Sequence, residues 1–93
     1  MRTIERSSAF KRDYKREAKG KQRPTLDDDL QTVLKKLLTD QPLAQFYHDH
    51  NLSGNWNEYR ECHIYPDLLL IYRKSNDNTL YLARLGSHSE LFG

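Results

Sequence analysis

A chain of 93 residues with 37% hydrophobic and 30% charged side chains can build one soluble globular domain around a modest core. Its longest apolar run, residues 68–72, is far too short to span a membrane, and the N-terminus carries acids, bases and serines where a signal peptide would be apolar. The lone Cys62 cannot form an internal disulfide, so the fold does not need an oxidising compartment; a cytoplasmic location and no membrane partner are expected. The net charge of +2 is unevenly spread. Residues 1–23 hold nine Lys/Arg against three acids, a net of +6, which leaves −4 for the remainder. A basic third on an acidic body is either a nucleic-acid footprint or a solvated helix face, and charge alone does not separate them.

Residues 2–6 suit a short opening strand. Phe10, Tyr14 and Ala18 then recur every fourth residue, which predicts a helix capped by Ser7 or Ser8 and stopped at Gly20. Lys11, Arg12, Lys15, Arg16 and Lys19 cover much of its remaining surface. A second helix is expected after Pro24, with Thr25 as N-cap and Asp27, Asp28 and Asp29 in the first turn, where the dipole favours acids. Leu26, Leu30, Val33, Leu34, Leu37 and Leu38 form its apolar stripe, and Pro42 ends it. Residues 41–57, rich in His, Asp, Asn and Gly, read as a long connection of the kind that often carries function. Three strands follow. Residues 59–65 lead to a turn at Pro66 and Asp67; residues 68–73 are a nearly continuous apolar run expected to be buried on both faces; residues 75–78 turn into a last strand at 79–85. The order β-α-α-β-β-β, with a helical hairpin packed on a mainly antiparallel sheet, defines a single α+β domain over residues 1–93.

The second half carries a specific string. Leu52, Gly54 and Trp56 precede Tyr59-Arg60-Glu61-Cys62-His63-Ile64-Tyr65-Pro66-Asp67-Leu68, and the chain closes on Arg84, Gly86, Ser87, His88, Leu91, Phe92 and Gly93. In its ordered combination this resembles the YafQ branch of the RelE/ParE toxin superfamily, closely over residues 48–93 and in element order over residues 1–47. The resemblance implies a RelE-like fold, and a toxin that enters the ribosomal A site, cleaves messenger RNA there, and is held inactive by a cognate antitoxin. It also implies that His50, His63, Asp67, His88 and Phe92 form the catalytic set. Leu68 departs from the pattern, since relatives often place an aromatic residue there.

The same residue types make chemical sense. RNA can be cut without a metal or other cofactor by using its own 2′-OH as nucleophile. That requires a base for the 2′-OH, charge stabilisation at phosphorus and an acid for the 5′-oxygen; histidine suits both proton transfers near neutral pH. His88, just past the last strand, is the leading acid or base, against the reading of an ordinary loop histidine. In the 59–65 strand, alternation sends Cys62 and Ile64 to the core and leaves His63 and Tyr65 facing a groove. Asp67 could orient a histidine or simply serve its turn. In the long loop His50 is favoured for the site and His48 for solvent. Phe92 could stack on a base or, with Leu91, latch the tail to the core. Arg84 first, then Arg60, are candidates to neutralise the scissile phosphate. The spacings of His and Cys match no zinc motif, so no metal is expected.

The basic side chains Lys11, Arg12, Lys15, Arg16 and Lys19 fit contact with ribosomal RNA, which is read by phosphate and shape. A short acidic antitoxin that folds on binding would suit the same basic character. Two competitors share the fold: a ParE-like protein that inhibits DNA gyrase by surface contacts, and an RNase that needs no ribosome. The histidine set with Asp67 is what a purely inhibitory binder has no reason to assemble.

Overall fold

The computed structural model describes residues 1–20 and 23–93. Lys21, counted above in the basic third, lies outside the described residues. The elements are β1 (Thr3–Arg6), α1 (Ser8–Ala18), α2 (Arg23–Leu38), β2 (His50–Asn51), β3 (Arg60–Tyr65), β4 (Leu68–Lys74), β5 (Thr79–Gly86) and a short α3 (His88–Phe92). The sheet runs β1-β5-β4-β3-β2; β1 is parallel to β5 and every other pair is antiparallel. The expected α+β architecture with helices on a mainly antiparallel sheet is therefore observed.

β4 lies at the centre of the sheet, and its residues 68–72 are buried, as the continuous apolar run predicts. Leu68, Leu70 and Tyr72 point to the helices, where they join Phe10 of α1 and Leu26, Leu30, Val33, Leu34 and Leu37 of α2 in the main core. Each such leucine stabilises the fold by about 1.5–3 kcal/mol. Leu69 and Ile71 point the other way, to a smaller cluster with Ala83 and Leu91, flanked by Leu52, Trp56, Tyr59 and Tyr81. This second face carries the candidate site side chains Glu61 and His63.

Ser7, not Ser8, caps α1 by accepting from the Phe10 N–H at 2.9 Å. α2 starts three residues earlier than expected, at Arg23, so Thr25 is inside the helix and not its cap. A proline near the start costs nothing, because the first N–H groups of a helix have no partner in any case. Thr25 instead meets the Tyr65 hydroxyl at 2.8 Å. The acids tie α2 to its neighbours: Asp27 accepts from Tyr14 and Asp29 from Tyr65. The connection over residues 41–57 is more ordered than its composition suggests. It contains two 3₁₀ turns (Gln45–Tyr47 and Gly54–Trp56) and the edge strand β2, paired to β3 through His50↔Glu61 and Asn51↔Arg60.

β1 pairs with β5 only as far as Leu82, which leaves the last half of β5 with an open edge. The chain just beyond β1 closes it with side chains. The Ser7 hydroxyl donates to the Ala83 carbonyl at 2.7 Å, Asp13 accepts from the Leu85 N–H at 3.0 Å, and Arg16 donates to the Leu85 carbonyl at 2.9 Å. Backbone groups that a strand would have paired are thus satisfied, and the edge is closed to another chain.

Candidate active site

On the face away from the helices, β3 presents Glu61 and His63, two residues apart and therefore on the same side. Glu61 is only 2% exposed. Its Oε1 lies 3.3 Å from His63 Nε2 and 3.6 Å from His50 Nε2, so one buried carboxylate faces two imidazoles. The other ring nitrogen of His50, Nδ1, lies 2.6 Å from the His48 carbonyl oxygen, which fixes the ring from behind. A β-bulge between His63 and Tyr65 breaks the alternation. Tyr65 consequently turns to the helix side, where it packs on the main core, and does not share the groove face with His63 as expected.

The loop carrying His48 and His50 is anchored by the residue between them. Asp49 is held by Arg60 at 2.8 and 3.3 Å and by the Tyr72 hydroxyl. Burial pushes the Tyr72 phenol up and the bond to Asp49 pushes it further, so it stays a donor. The Asp49 bond also raises Arg60. His48, expected in solvent, is exposed, yet its ring is 5.3 Å from that of His63.

From the opposite side comes α3. Ser87 and Glu90 form a capping box in which each side chain accepts from the other's backbone N–H. His88 is thus the first residue of a helix and not part of a loop, and its ring is 6.2 Å from that of His63. Leu91 is buried and Phe92 is 44% exposed, so the latch and the free aromatic are two different residues. Phe92 lies 5.8 Å from the His88 ring and 6.4 Å from Trp56, centroid to centroid. Gly86 admits this close approach: a Cβ there would sit 2.8 Å from the Arg16 guanidinium and 3.1 Å from the Glu90 carboxylate.

Arg84, the first choice for the phosphate, is bound by Asp13 at 2.7 and 3.2 Å. Arg16 joins from the other side, 3.1 Å from Asp13 and 3.2 Å from Glu90. Burial pushes the Asp13 carboxyl up, but the Arg84 and Leu85 hydrogen bonds and both guanidinium charges outweigh it and hold it below the ordinary 3.8. Arg60 and Arg84 are thus each tied to a carboxylate, one at the loop and one at the β5–α1 junction, and both side chains still reach solvent. Asp67 is exposed on the β3–β4 turn and lines an open cleft of about 450 Å³ with Arg16, Ser87, Ser89 and Glu90. Along α1, Lys11, Arg12, Lys15, Arg16 and Lys19 are exposed, with Arg16 committed to its ion pairs. Burial pushes the Cys62 thiol far up, which leaves it inert.

The arrangement brings His50, His63, His88 and Phe92 to one face and adds three residues that sequence reasoning passed over: Glu61, Asp49 and Tyr72. The signal for Glu61 was present, since a carboxylate two residues from His63 in the same strand must share its face.

A small α+β protein with two helices packed on a five-stranded, mainly antiparallel sheet has the fold of a RelE-like toxin. The family model described as "Bacterial toxin of type II toxin-antitoxin system, YafQ" matches residues 2–93, and the chain belongs to that family. It is 37% identical over 92 residues to the mRNA interferase toxin YafQ of Escherichia coli K12, covering 97% of this chain and 99% of that one. A metal-bound toxin from Helicobacter pylori superposes with a TM-score of 0.84 at 46% identity, over 99% of this chain and all of that one. YafQ in the E. coli DinJ-YafQ complex gives 0.80 at 33% identity over the full length of both chains.

Proposed function

We propose that this toxin is an endoribonuclease that enters the ribosomal A site and cuts messenger RNA there by metal-free acid/base chemistry. The observation that carries the reading is the facing of His63 and His88, 6.2 Å apart and delivered by different elements, with Glu61 behind His63. Two imidazoles so spaced can reach opposite oxygens of one phosphodiester. One takes the 2′-OH proton as the oxygen attacks phosphorus. The other protonates the departing 5′-oxygen, leaving a 2′,3′-cyclic phosphate and a free 5′-OH. Glu61 and the His48 carbonyl orient His63 and His50. Phe92, exposed beside His88, offers a surface for a base. Asp67 borders the same end of the sheet as a further polar group.

The test is cleavage of a defined messenger with and without programmed ribosomes, with cut sites mapped by primer extension, and with toxin stripped by EDTA and desalted before mixing run beside untreated toxin. Cuts that need ribosomes and survive the stripping fit the proposal. Cuts lost with the stripped toxin and restored by added transition metal would assign a metal to the reaction, as the metal-bound Helicobacter relative invites. Cutting without ribosomes would favour a free RNase, and no cutting by folded protein would favour a gyrase inhibitor.

Glu61→Gln keeps the shape but removes the charge between two histidines. Cutting should fall by up to about 100-fold through lost positioning, with KM little changed and the fold intact by circular dichroism. Replacing Lys11 and Lys15 together should weaken ribosome binding and flatten its salt dependence. A sedimentation assay at several salt concentrations reads this directly, and equal binding at all of them would remove α1 from the interface.

An antitoxin partner follows the precedent of the DinJ-YafQ complex. Action on ribosomes would take place in the cytoplasm. No helix among the described residues is long and apolar enough to cross a membrane.

A further inference from the structure

The three arginines of β3, β4 and β5 have different fates. Arg60 is held by Asp49 and Arg84 by Asp13. Arg73 has no carboxylate partner among the described residues. Its guanidinium carbon lies 5.5 Å from the Tyr59 ring and 5.4 Å from the Tyr81 ring, and its Nε is buried with no hydrogen-bond partner. Aromatic faces hold a cation but do not neutralise it. A half-buried guanidinium without counter-charge is an anion site waiting for an anion, and its planar donors suit a phosphate.

The position of this group says which phosphate. Arg73 is four residues along β4 from Leu69, which is paired with His63. At strand spacing that is about 13 Å, too far to serve the reacting phosphate. The gap is bridged by rings: Phe92 is 6.4 Å from Trp56, and Trp56 is 5.1 Å from Tyr59, which touches Arg73. Trp56, Tyr59 and Tyr81 are half-buried, so each keeps an open side.

We propose that Arg73, set between Tyr59 and Tyr81 and joined to the histidine cluster through Trp56 and Phe92, is a subsite for single-stranded RNA beside the cleaved bond. Arg73 takes a backbone phosphate of a neighbouring nucleotide, and the open ring faces support its base. Base–aromatic stacking tolerates any sequence, so the subsite contributes grip and not codon choice. The assignment rests on the nuclease reading above.

The experiment is steady-state cleavage of messenger on programmed ribosomes by wild-type toxin, Arg73→Met and Arg73→Lys, at several salt concentrations. Arg73→Met should raise KM about tenfold with kcat nearly unchanged and melting temperature unchanged or higher, because an unpaired charge is removed. The salt slope should fall by about 0.7, the value for one phosphate contact on a single strand. Arg73→Lys, which keeps the charge without the fork, should recover part of the loss and covers the case in which the methionine variant does not fold. A wild-type KM in either folded Arg73 variant, or a wild-type salt slope in Arg73→Met, would overturn the subsite while leaving the nuclease standing. Absence of cutting by the wild type would instead overturn the nuclease reading, and the subsite with it.

Discussion

His88→Ala should lose messenger cutting by about 10²–10⁴-fold, the range for removal of a positioned acid or base. The fold should be untouched. His88 is exposed, the capping box that starts α3 belongs to Ser87 and Glu90, and the docking of that helix belongs to Leu91. The loss should therefore appear in kcat with little change in ribosome binding or in melting temperature. His88→Gln, which keeps a hydrogen-bonding side chain but cannot shuttle a proton near neutral pH, should be nearly as inactive. If either variant cut within a fewfold of wild type, the proton transfers would have to be reassigned to His63 and His50.

Asp13→Ala should give the largest loss of stability of any single polar substitution outside the site, about 3 kcal/mol. The carboxylate is 3% exposed and accepts from Arg84, Arg16 and the Leu85 N–H together. Its removal leaves a buried backbone donor unpaired and two guanidinium groups without their anion. Both guanidinium groups reach solvent, which keeps the cost from rising further. For a chain of this size the melting temperature should fall by roughly 15 °C. The pH dependence has a definite sign. The folded-state pKa of Asp13 is depressed, so its contribution is complete above the ordinary 3.8 and is lost as pH falls through the lower folded value. Asp40, held near 2 by Lys74 and Arg2, acts in the same direction over the same acid window. Acid unfolding of wild type should steepen below pH 4, and Asp13→Asn should melt lower at neutral pH with a shallower acid slope. Identical slopes would place the acid sensitivity elsewhere.

Local pattern carried most of the element order. The four-residue recurrence of Phe10, Tyr14 and Ala18 gave α1, the leucine stripe gave α2, and the unbroken apolar run at 68–72 announced the central strand, because a strand buried on both faces has no polar side to show. His63, His88, His50 and Phe92 were legible as a set through the ordered motifs of the C-terminal half. The sequence by itself could also set the tail apart, since Ser87 and Glu90 spell a capping box before Leu91.

What only the tertiary structure decided was pairing between distant residues. Asp13 and Arg84 are 71 positions apart, and Asp49 and Arg60 meet only because β2 folds back on β3. Nothing in a local window tells which arginine will find a carboxylate: in the fold Arg60 is held by Asp49 and Arg84 by Asp13, while Arg73 has no carboxylate partner among the described residues. The bulge after His63 has the same character. It rotates Tyr65 toward α2 because the hydroxyl finds Asp29 and Thr25 there, a gain that exists only once helix and sheet are packed together.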